Sequence, residues 1–332
     1  MGLKRLWTAF YQRLIDGGSP QIPNHKKEIA VLDEMERILL EIDSTVIPVH
    51  RFRKKMLPSV RHTMQYFSEL ISQVPGPVDF DPGRWDDDPL LRAMFISRKE
   101  LSSVLQSSKA LKNFFRRTNA SQAFGMLIAE QKEKNFLGTG KDGEIVRRDV
   151  PQKAVFFENF EIVVPEADLA ETRLEVQHHA LVGLFTQAFE KITDLQSWKQ
   201  ELEEQQHLLK FKVNRAKSAK LESELKSLDA PDNQVQETLQ VLGDIQRKIK
   251  EIEAELDTPE HRLEHLCRIL KHPEQHLKVK TVLLKLSRLG IRLDSSSTEP
   301  ANEFTVAKFE MGQTQNQVVF WIRVDRTFVL SV

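Results

Sequence analysis

The stretch from His261 to His276, HRLEHLCRILKHPEQH, has the residue types of a metal site. It contains the spacing H-x-x-E-H, which one class of metallopeptidases uses for zinc, and imidazoles four residues apart on a helix can bind one metal ion. It also holds Cys267, the only cysteine of the chain. The candidate metal ligands are His261, His265, His272 and His276.

Helical geometry argues against a metal site in this stretch. A helix is predicted from Thr258 to about Lys271, because Pro259 suits a first helical turn and Pro273 disfavours continuation. Cys267 then falls among the leucines, whereas the first three histidines share the opposite face with the permanently charged Arg268. A peptidase would also need a distant acidic ligand and a large α/β domain. We therefore expect an exposed polar face, with no metal and no cofactor.

Composition excludes several classes of protein. The chain has 332 residues, and 48 Lys and Arg balance 48 Asp and Glu, so no overall field attracts nucleic acid or an acidic membrane. One cysteine cannot form an internal disulfide, and no window approaches the roughly 20 apolar residues of a membrane span. Gln12 and Arg13 interrupt the N-terminal apolar run, which does not resemble a secretory signal. We expect a cytoplasmic protein without a transmembrane segment.

Two basic patches keep nucleic-acid binding open as an alternative. Residues 49–63 contain no acidic residue, and residues 259–292 have more basic than acidic residues. Neither patch carries a recognised nucleic-acid signature. The candidate phosphate-binding residues are Arg51, Arg53, Lys54, Lys55, Lys278, Lys285 and Arg288.

The N-terminal residues 3–14 offer a further alternative, peripheral contact with a membrane. Trp7 and Phe10 lie beside basic residues on a predicted amphipathic helix, a pattern that also occurs in helices on a membrane surface. We expect this apolar face to pack against the rest of the same protein instead, because the apolar face of an amphipathic helix usually faces a protein core.

The strongest pattern is a seven-residue repeat, which predicts one helix over residues 168–228. Its positions are Leu174, Leu181, Ala188, Leu195, Leu202, Leu209 and Ala216. A turn-rich segment at residues 229–233 precedes a second repeat, so an antiparallel hairpin is predicted. Counting outward from that turn places Val213 opposite Ile249 and Leu209 opposite Ile252.

The remaining elements follow from local signals. Helices are predicted at about His25 to Asp43 and Arg51 to Val74, the second broken or begun afresh at Pro58. N-caps are predicted further on at Asp88 and Ser97. A β-hairpin is predicted at 138–164, and a second C-terminal helix from Glu274 to Leu289, ended by Gly290. The segments EFTVAKFE, QVVFWIRV and RTFVLSV read as strands. Two helices followed by a hairpin is the order of a winged-helix domain.

Together these patterns predict a mainly α fold. It comprises a long antiparallel helical hairpin (a coiled coil), an N-terminal helical region, a central β-hairpin and a small C-terminal α+β module. The predicted segments are 1–135, 136–166, 167–257 and 258–332, in chain order N-terminal, β-hairpin, coiled coil and C-terminal module.

No catalytic constellation is found, and a coiled coil offers no concave pocket. The sequence therefore favours a non-catalytic protein–protein interaction or scaffold protein that binds another protein or itself through the coiled coil. The first alternative is nucleic-acid binding through a winged-helix-like C-terminal module. The second is metal binding through His261 and His265.

Overall fold

The computed structural model describes residues 24–142, 145–224, 232–294, 300–311 and 314–330. They group into two compact units. The sheet unit contains His62–Gly183 and His272–Val332, and the helical unit contains His25–Arg61 and Leu184–Lys271. The division of the sequence into four segments stays a prediction.

The elements are numbered in chain order over the described residues. The helices are α1 Asn24–Ile42, α2 Phe52–Ser72, α3 Pro89–Met94, α4 Arg98–Ser107, α5 Lys109–Arg117, α6 Leu169–Glu224, α7 Asp232–Leu256, α8 Pro259–Lys271 and α9 Arg326–Val329. The strands are β1 Val78–Asp79, β2 Gln122–Asp142, β3 Ile145–Glu166, β4 Leu277–Leu286, β5 Asn302–Met311 and β6 Thr314–Asp325. Short 3-10 turns lie at Ser44–Val46, Pro82–Arg84 and Pro273–Gln275.

The helices predicted from local signals are confirmed, except for the one from Glu274 to Leu289. Helices α1, α2 and α8 lie within about two residues of their predicted limits. The predicted break at Pro58 is wrong, because Pro58 lies inside the continuous helix α2. Asp88 Oδ1 accepts hydrogen bonds from the backbone of Leu90 at 2.8 Å and Leu91 at 3.2 Å, so it is the N-cap of α3. Ser97 Oγ accepts from the backbone N–H of Glu100 at 3.2 Å at the start of α4. These signals act within one turn, which is why the sequence shows them.

The strands form one six-stranded sheet in the order β3-β2-β6-β5-β4, and each neighbouring pair is antiparallel. The short strand β1 pairs with β6 in parallel, with Val78 opposite Ile322. Its next residue, Phe80, donates its backbone N–H to Arg323 O at 2.9 Å.

The predicted mainly α fold class is therefore wrong. The central β-hairpin and the C-terminal strands are not separate modules, because β2 pairs with β6 along nine successive residues from Gln122 to Glu130. Strand β2 also begins 16 residues before the predicted start of the hairpin at residue 138. The pairing partners are about 200 residues apart in sequence, and a local pattern carries no information on such a pairing.

Two C-terminal elements also differ from prediction. The segment predicted as a helix from Glu274 to Leu289 is mainly strand β4, and RTFVLSV contains the short helix α9 instead of a strand. Strand β4 reads LKVKTVLLKL, in which β-branched residues and partial alternation suit a sheet. With one helix before the strands, the winged-helix order is absent from this part of the described chain.

A turn at Gly290 joins the two ends of the sheet. The backbone of Val155 on β3 donates to Gly290 O at 2.8 Å, and that of Arg292 donates to Lys153 O at 2.8 Å. Gly290 has φ +75°, and a Cβ there would lie 3.1 Å from Val155 O. Glycine fits this turn on both counts, in a role other than the predicted helix C-cap.

Helices cover both faces of this sheet. On one face, Leu127 and Phe320 pack in a cluster with buried residues of α3, α4 and α5. On the other face, Met126 and Trp321 pack with Val74 and with Val176 of α6. The alternation along β2 and β6 thus supplies two cores within the sheet unit.

The helical unit is built around α6 from Leu184 onward. The whole helix has 56 residues and spans about 84 Å at 1.5 Å per residue. The single long helix is confirmed over the residues described. Leu202 and Val213 are buried on α6, and Leu242, Ile249 and Leu256 are buried on α7. Lys248 Nζ lies 5.8 Å from the ring centre of Trp198, so α7 runs beside α6. The predicted turn at 229–233 falls largely outside the described residues.

Candidate functional site

The histidines on α8 belong to the helical unit and differ in environment. His261 is exposed, and its backbone N–H donates to Thr258 Oγ1 at 3.2 Å, so it lies in the first turn. His265 is half-buried, with Nδ1 3.6 Å from Glu255 Oε2. Glu255 Oε1 also lies 3.6 Å from Arg268 Nη1. Burial lowers the pKa of His265.

The other two candidate ligands belong to the sheet unit. His272 Nδ1 lies 3.1 Å from Glu274 Oε1 on the surface, and His276 is half-buried. Over the residues that the structure describes, no three His, Cys, Asp or Glu side chains are grouped so that they could hold a metal ion.

Cys267 packs inside the helical unit. Its Sγ lies 3.7 Å from the backbone oxygen of Lys55 and 3.8 Å from Met56 Sδ, and burial raises the pKa of the thiol. The neutral thiol is the weaker nucleophile, so this position does not suit covalent chemistry.

The first basic patch is partly neutralised. The guanidinium of Arg53 donates from Nε to Glu36 Oε1 at 2.7 Å and from Nη2 to Asp33 Oδ1 at 2.7 Å. These two carboxylates raise its pKa. Arg51, Lys54 and Lys55 are exposed.

The three candidate residues of the second basic patch lie on and after β4 rather than on a helix. Lys285 Nζ is 3.2 Å from Glu303 Oε1 on the neighbouring strand, whereas Lys278 and Arg288 are exposed. Nucleic-acid binding by either patch stays a prediction.

A cluster of acidic residues and histidines near the start of α6 was not identified from the sequence. Glu175 Oε1 lies 3.3 Å from His179 Nε2 and 3.7 Å from His178 Nδ1, and the two imidazole rings are stacked with centres 5.7 Å apart. Burial raises the pKa of Glu166, at the end of β3, to about 7, and the charges of Glu175 and Glu171 add to this rise. Glu166 can therefore exchange a proton near neutral pH.

A small apolar cavity of about 40 Å³ lies in the sheet unit. Phe67 and Leu70 of α2, Val176 of α6, and Met126 and Val319 of the sheet contribute to its lining. A cavity of this size holds at most a few carbon-sized groups, so it cannot enclose a substrate without opening.

A carboxyl group lies on the same side of the sheet as this cavity. Glu161 of β3 is opposite Ile128 of β2, and directly opposite residues of an antiparallel pair point to the same face. Ile128 lines the cavity. Burial alone raises the pKa of Glu161 to about 7.

An exposed apolar pair lies on the long helix. Leu208 is 62% exposed and Phe211 is 63% exposed, and their spacing of three residues places them side by side. On α7, Leu239 and Val241 are also exposed. Side chains of this type are normally buried, so the helices carry apolar surface beyond what their own packing covers.

Comparison with known proteins finds no matching family model, no similar protein among the curated sequences and no similar solved structure. No helix in the part of the chain that the structure describes combines the length and apolarity needed to cross a membrane. The candidate membrane-surface segment at residues 3–14 lies outside the described residues.

Proposed function

We propose that the protein is a non-catalytic interaction protein that binds a protein partner through helices α6 and α7. The observation that carries the proposal is the exposed pair Leu208 and Phe211 on a helix of 56 residues. A cytoplasmic location is part of the proposal, since one cysteine and no candidate disulfide suit a reducing compartment.

The shape of these elements supports binding rather than catalysis. Two adjacent helices present ridges and grooves but no concave site that excludes water from a reacting group. The half-buried groups Glu161, Glu166, Glu175, His178 and His179 lie in the sheet unit, and none of them lines the small cavity.

The exposed pair has the composition of a binding contact. Aromatic residues near the centre of a surface patch contribute much of the affinity in protein–protein interfaces, and charged residues around them add specificity. Leu208 and Phe211 have exposed charged neighbours at Glu204, Lys212 and Arg215. The patch therefore combines an apolar centre with a charged rim.

The test is purification of the full-length chain from its native cells, with the double variant Leu208→Glu/Phe211→Glu beside the wild type. The expected result is a stoichiometric protein, or a further copy of the chain, that accompanies the wild type and is lost from the variant. The matched control Glu203→Gln/Lys210→Gln changes two exposed residues of the same helix turns and should retain the partner. Equal retention by the wild type and the Leu208 and Phe211 variant would contradict the proposal.

A further inference from the structure

One face of α6 has an arrangement of charge that is complementary to itself. Five exposed residues follow a spacing of three, four, three and four, which places them on one side of a helix. In chain order they are Glu201, Glu204, Leu208, Phe211 and Arg215, here called the outer face of α6. Their exposure is a property of the helical unit, to which all of them belong.

The outer face is turned away from the buried side of the same helix. At 100° per residue, Leu208 lies about 120° from Leu202 and about 140° from Val213, the two buried residues of this segment. Phe211 lies farther round, about 180° from Leu202 and 160° from Val213. Helix α7 packs on the buried side, so the outer face is open to a partner.

The charges on the outer face and beside it change sign at Leu208. Glu201 and Glu204 precede it, whereas Lys212 and Arg215 follow it. Within the residues that the structure describes, none of these four side chains forms an ion pair. Each charge is thus available to a group on another molecule.

An antiparallel copy of the same helix satisfies these charges. With a two-fold axis at Leu208, residue 208 − n faces residue 208 + n of the second copy, so Glu201 faces Arg215 and Glu204 faces Lys212. The axis repeats both pairs, and Leu208 packs against its own symmetry mate. Such a self-complementary patch is what a two-fold interface requires.

We propose that the outer face of α6 binds a second copy of this chain in antiparallel orientation, with the two-fold axis at Leu208. This inference rests on the proposed function and names the partner. A parallel arrangement would set Glu201 against Glu201 and Arg215 against Arg215, and like charges in register oppose association. An acidic membrane surface is disfavoured in the same way, since it would repel Glu201 and Glu204.

The contact is small, so the dimer forms at moderate concentration. Four turns of helix on each copy bury less than the roughly 1,200 Å² of a standard specific interface. We expect dissociation constants of about 1 to 100 µM, because interfaces below the standard size are typical of weak and transient complexes. Because the rim consists of exposed ion pairs, raising the salt concentration weakens the dimer.

The first experiment locates the axis by cross-linking. Leu208→Cys in a Cys267→Ser background should give a covalent dimer with a short bismaleimide, because the two thiols meet at the axis. Lys210→Cys in the same background is the matched control. The side chain at position 210 points about 160° away from that at position 208, so Lys210→Cys should give no covalent dimer. Equal dimer yields from the two variants, or none from either, would overturn the proposed axis.

The second experiment tests the charge pairing by sedimentation equilibrium. The acid reversal, Glu201→Arg/Glu204→Lys, and the base reversal, Lys212→Glu/Arg215→Glu, should each raise the dissociation constant about tenfold through four like-charge contacts. A chain carrying all four changes should dimerise like the wild type, because the pairs are restored with opposite signs. Mixing the acid reversal with the base reversal should give a heterodimer.

The outcomes separate this inference from the proposed function. A wild-type chain that stays monomeric to about 1 mM, or a dimer unaffected by both reversals, overturns the antiparallel pairing. If a different protein is then still lost from Leu208→Glu/Phe211→Glu, the proposed function stands with another partner. If no partner is lost from that variant, both proposals fail.

Discussion

Lys199 Nζ lies 3.1 Å from Glu253 Oε1, and this ion pair sets the register between α6 and α7. The register predicted from the sequence differs, because it places Leu209 opposite Ile252. Ten residues separate Lys199 from Leu209, a rise of about 15 Å along a helix, which is more than one lysine side chain spans.

Carbodiimide cross-linking should therefore join Lys199 to Glu253. This reagent forms an amide only between an amine and a carboxylate already in contact, and peptide mass spectrometry identifies the linked pair. Glu253→Gln should abolish the product, whereas Glu251→Gln, two residues away on an exposed position of α7, should leave it unchanged. Absence of the wild-type product would place α7 in another register.

Local elements of this fold were predictable, and the sheet was not. The seven-residue repeat and the caps at Asp88 and Ser97 act within one or two helical turns, so the sequence alone indicates α3, α4 and α6. The pairing of Gly125 with Ile322 joins residues that are about 200 positions apart in the sequence. Nothing near either residue encodes that contact, and the fold class was misjudged for this reason.

The candidate sites, too, could be predicted from the sequence only where their residues are close together in the chain. The spacing of Glu171, Glu175 and His179 by four residues was visible in the sequence and could have suggested a cluster. Glu166 lies on β3, however, and its proximity to these residues depends on how the end of the strand meets the start of α6. The rise in its pKa comes first from burial, which the sequence does not show.

Replacing Phe320 with alanine should lower the free energy of unfolding by about 3 to 5 kcal/mol. Phe320 is almost fully buried on the face of the sheet that packs against α3, α4 and α5, and the change leaves a cavity there. Urea unfolding at neutral pH measures the loss.

Leu289→Ala is the control for this substitution. Leu289 is 84% exposed at the turn beside Gly290, so its removal should change the free energy of unfolding by no more than about 0.5 kcal/mol. Equal losses for Phe320→Ala and Leu289→Ala would show that the sheet does not form the core described here.

Replacing Glu161 with glutamine should stabilise the protein at alkaline pH. Burial raises the pKa of Glu161 to about 7 in the folded state, above its ordinary value near 4.5. Its contribution to stability is therefore fully present below about pH 4.5 and is lost as the pH rises through 7. The neutral amide removes this loss, so the variant should be more stable by about 1 kcal/mol at pH 8, after allowance for partial exposure.

The difference between Glu161→Gln and the wild type should disappear as the pH falls toward 4, where both side chains are neutral. Urea unfolding between pH 4 and pH 8 measures it. Glu237→Gln, at an exposed position on α7, is the matched control and should show no such pH-dependent gain. A constant difference across this range would exclude titration of Glu161 as its cause.

The two histidines of α8 should respond differently to alanine. His261 is exposed, so His261→Ala should change the free energy of unfolding by less than about 0.5 kcal/mol, whereas His265→Ala removes a half-buried ring beside Glu255 and should cost about 1 kcal/mol. Because burial lowers the pKa of His265, its contribution is present above its ordinary pKa near 6.5 and is lost as the pH falls through the lowered value. The cost of His265→Ala should therefore shrink toward pH 5 in urea unfolding.

Zinc added to the wild type is the control for the alternative role of these residues, which is metal binding. The unfolding midpoint should not change, and a rise that is absent from His265→Ala would establish a metal site on α8.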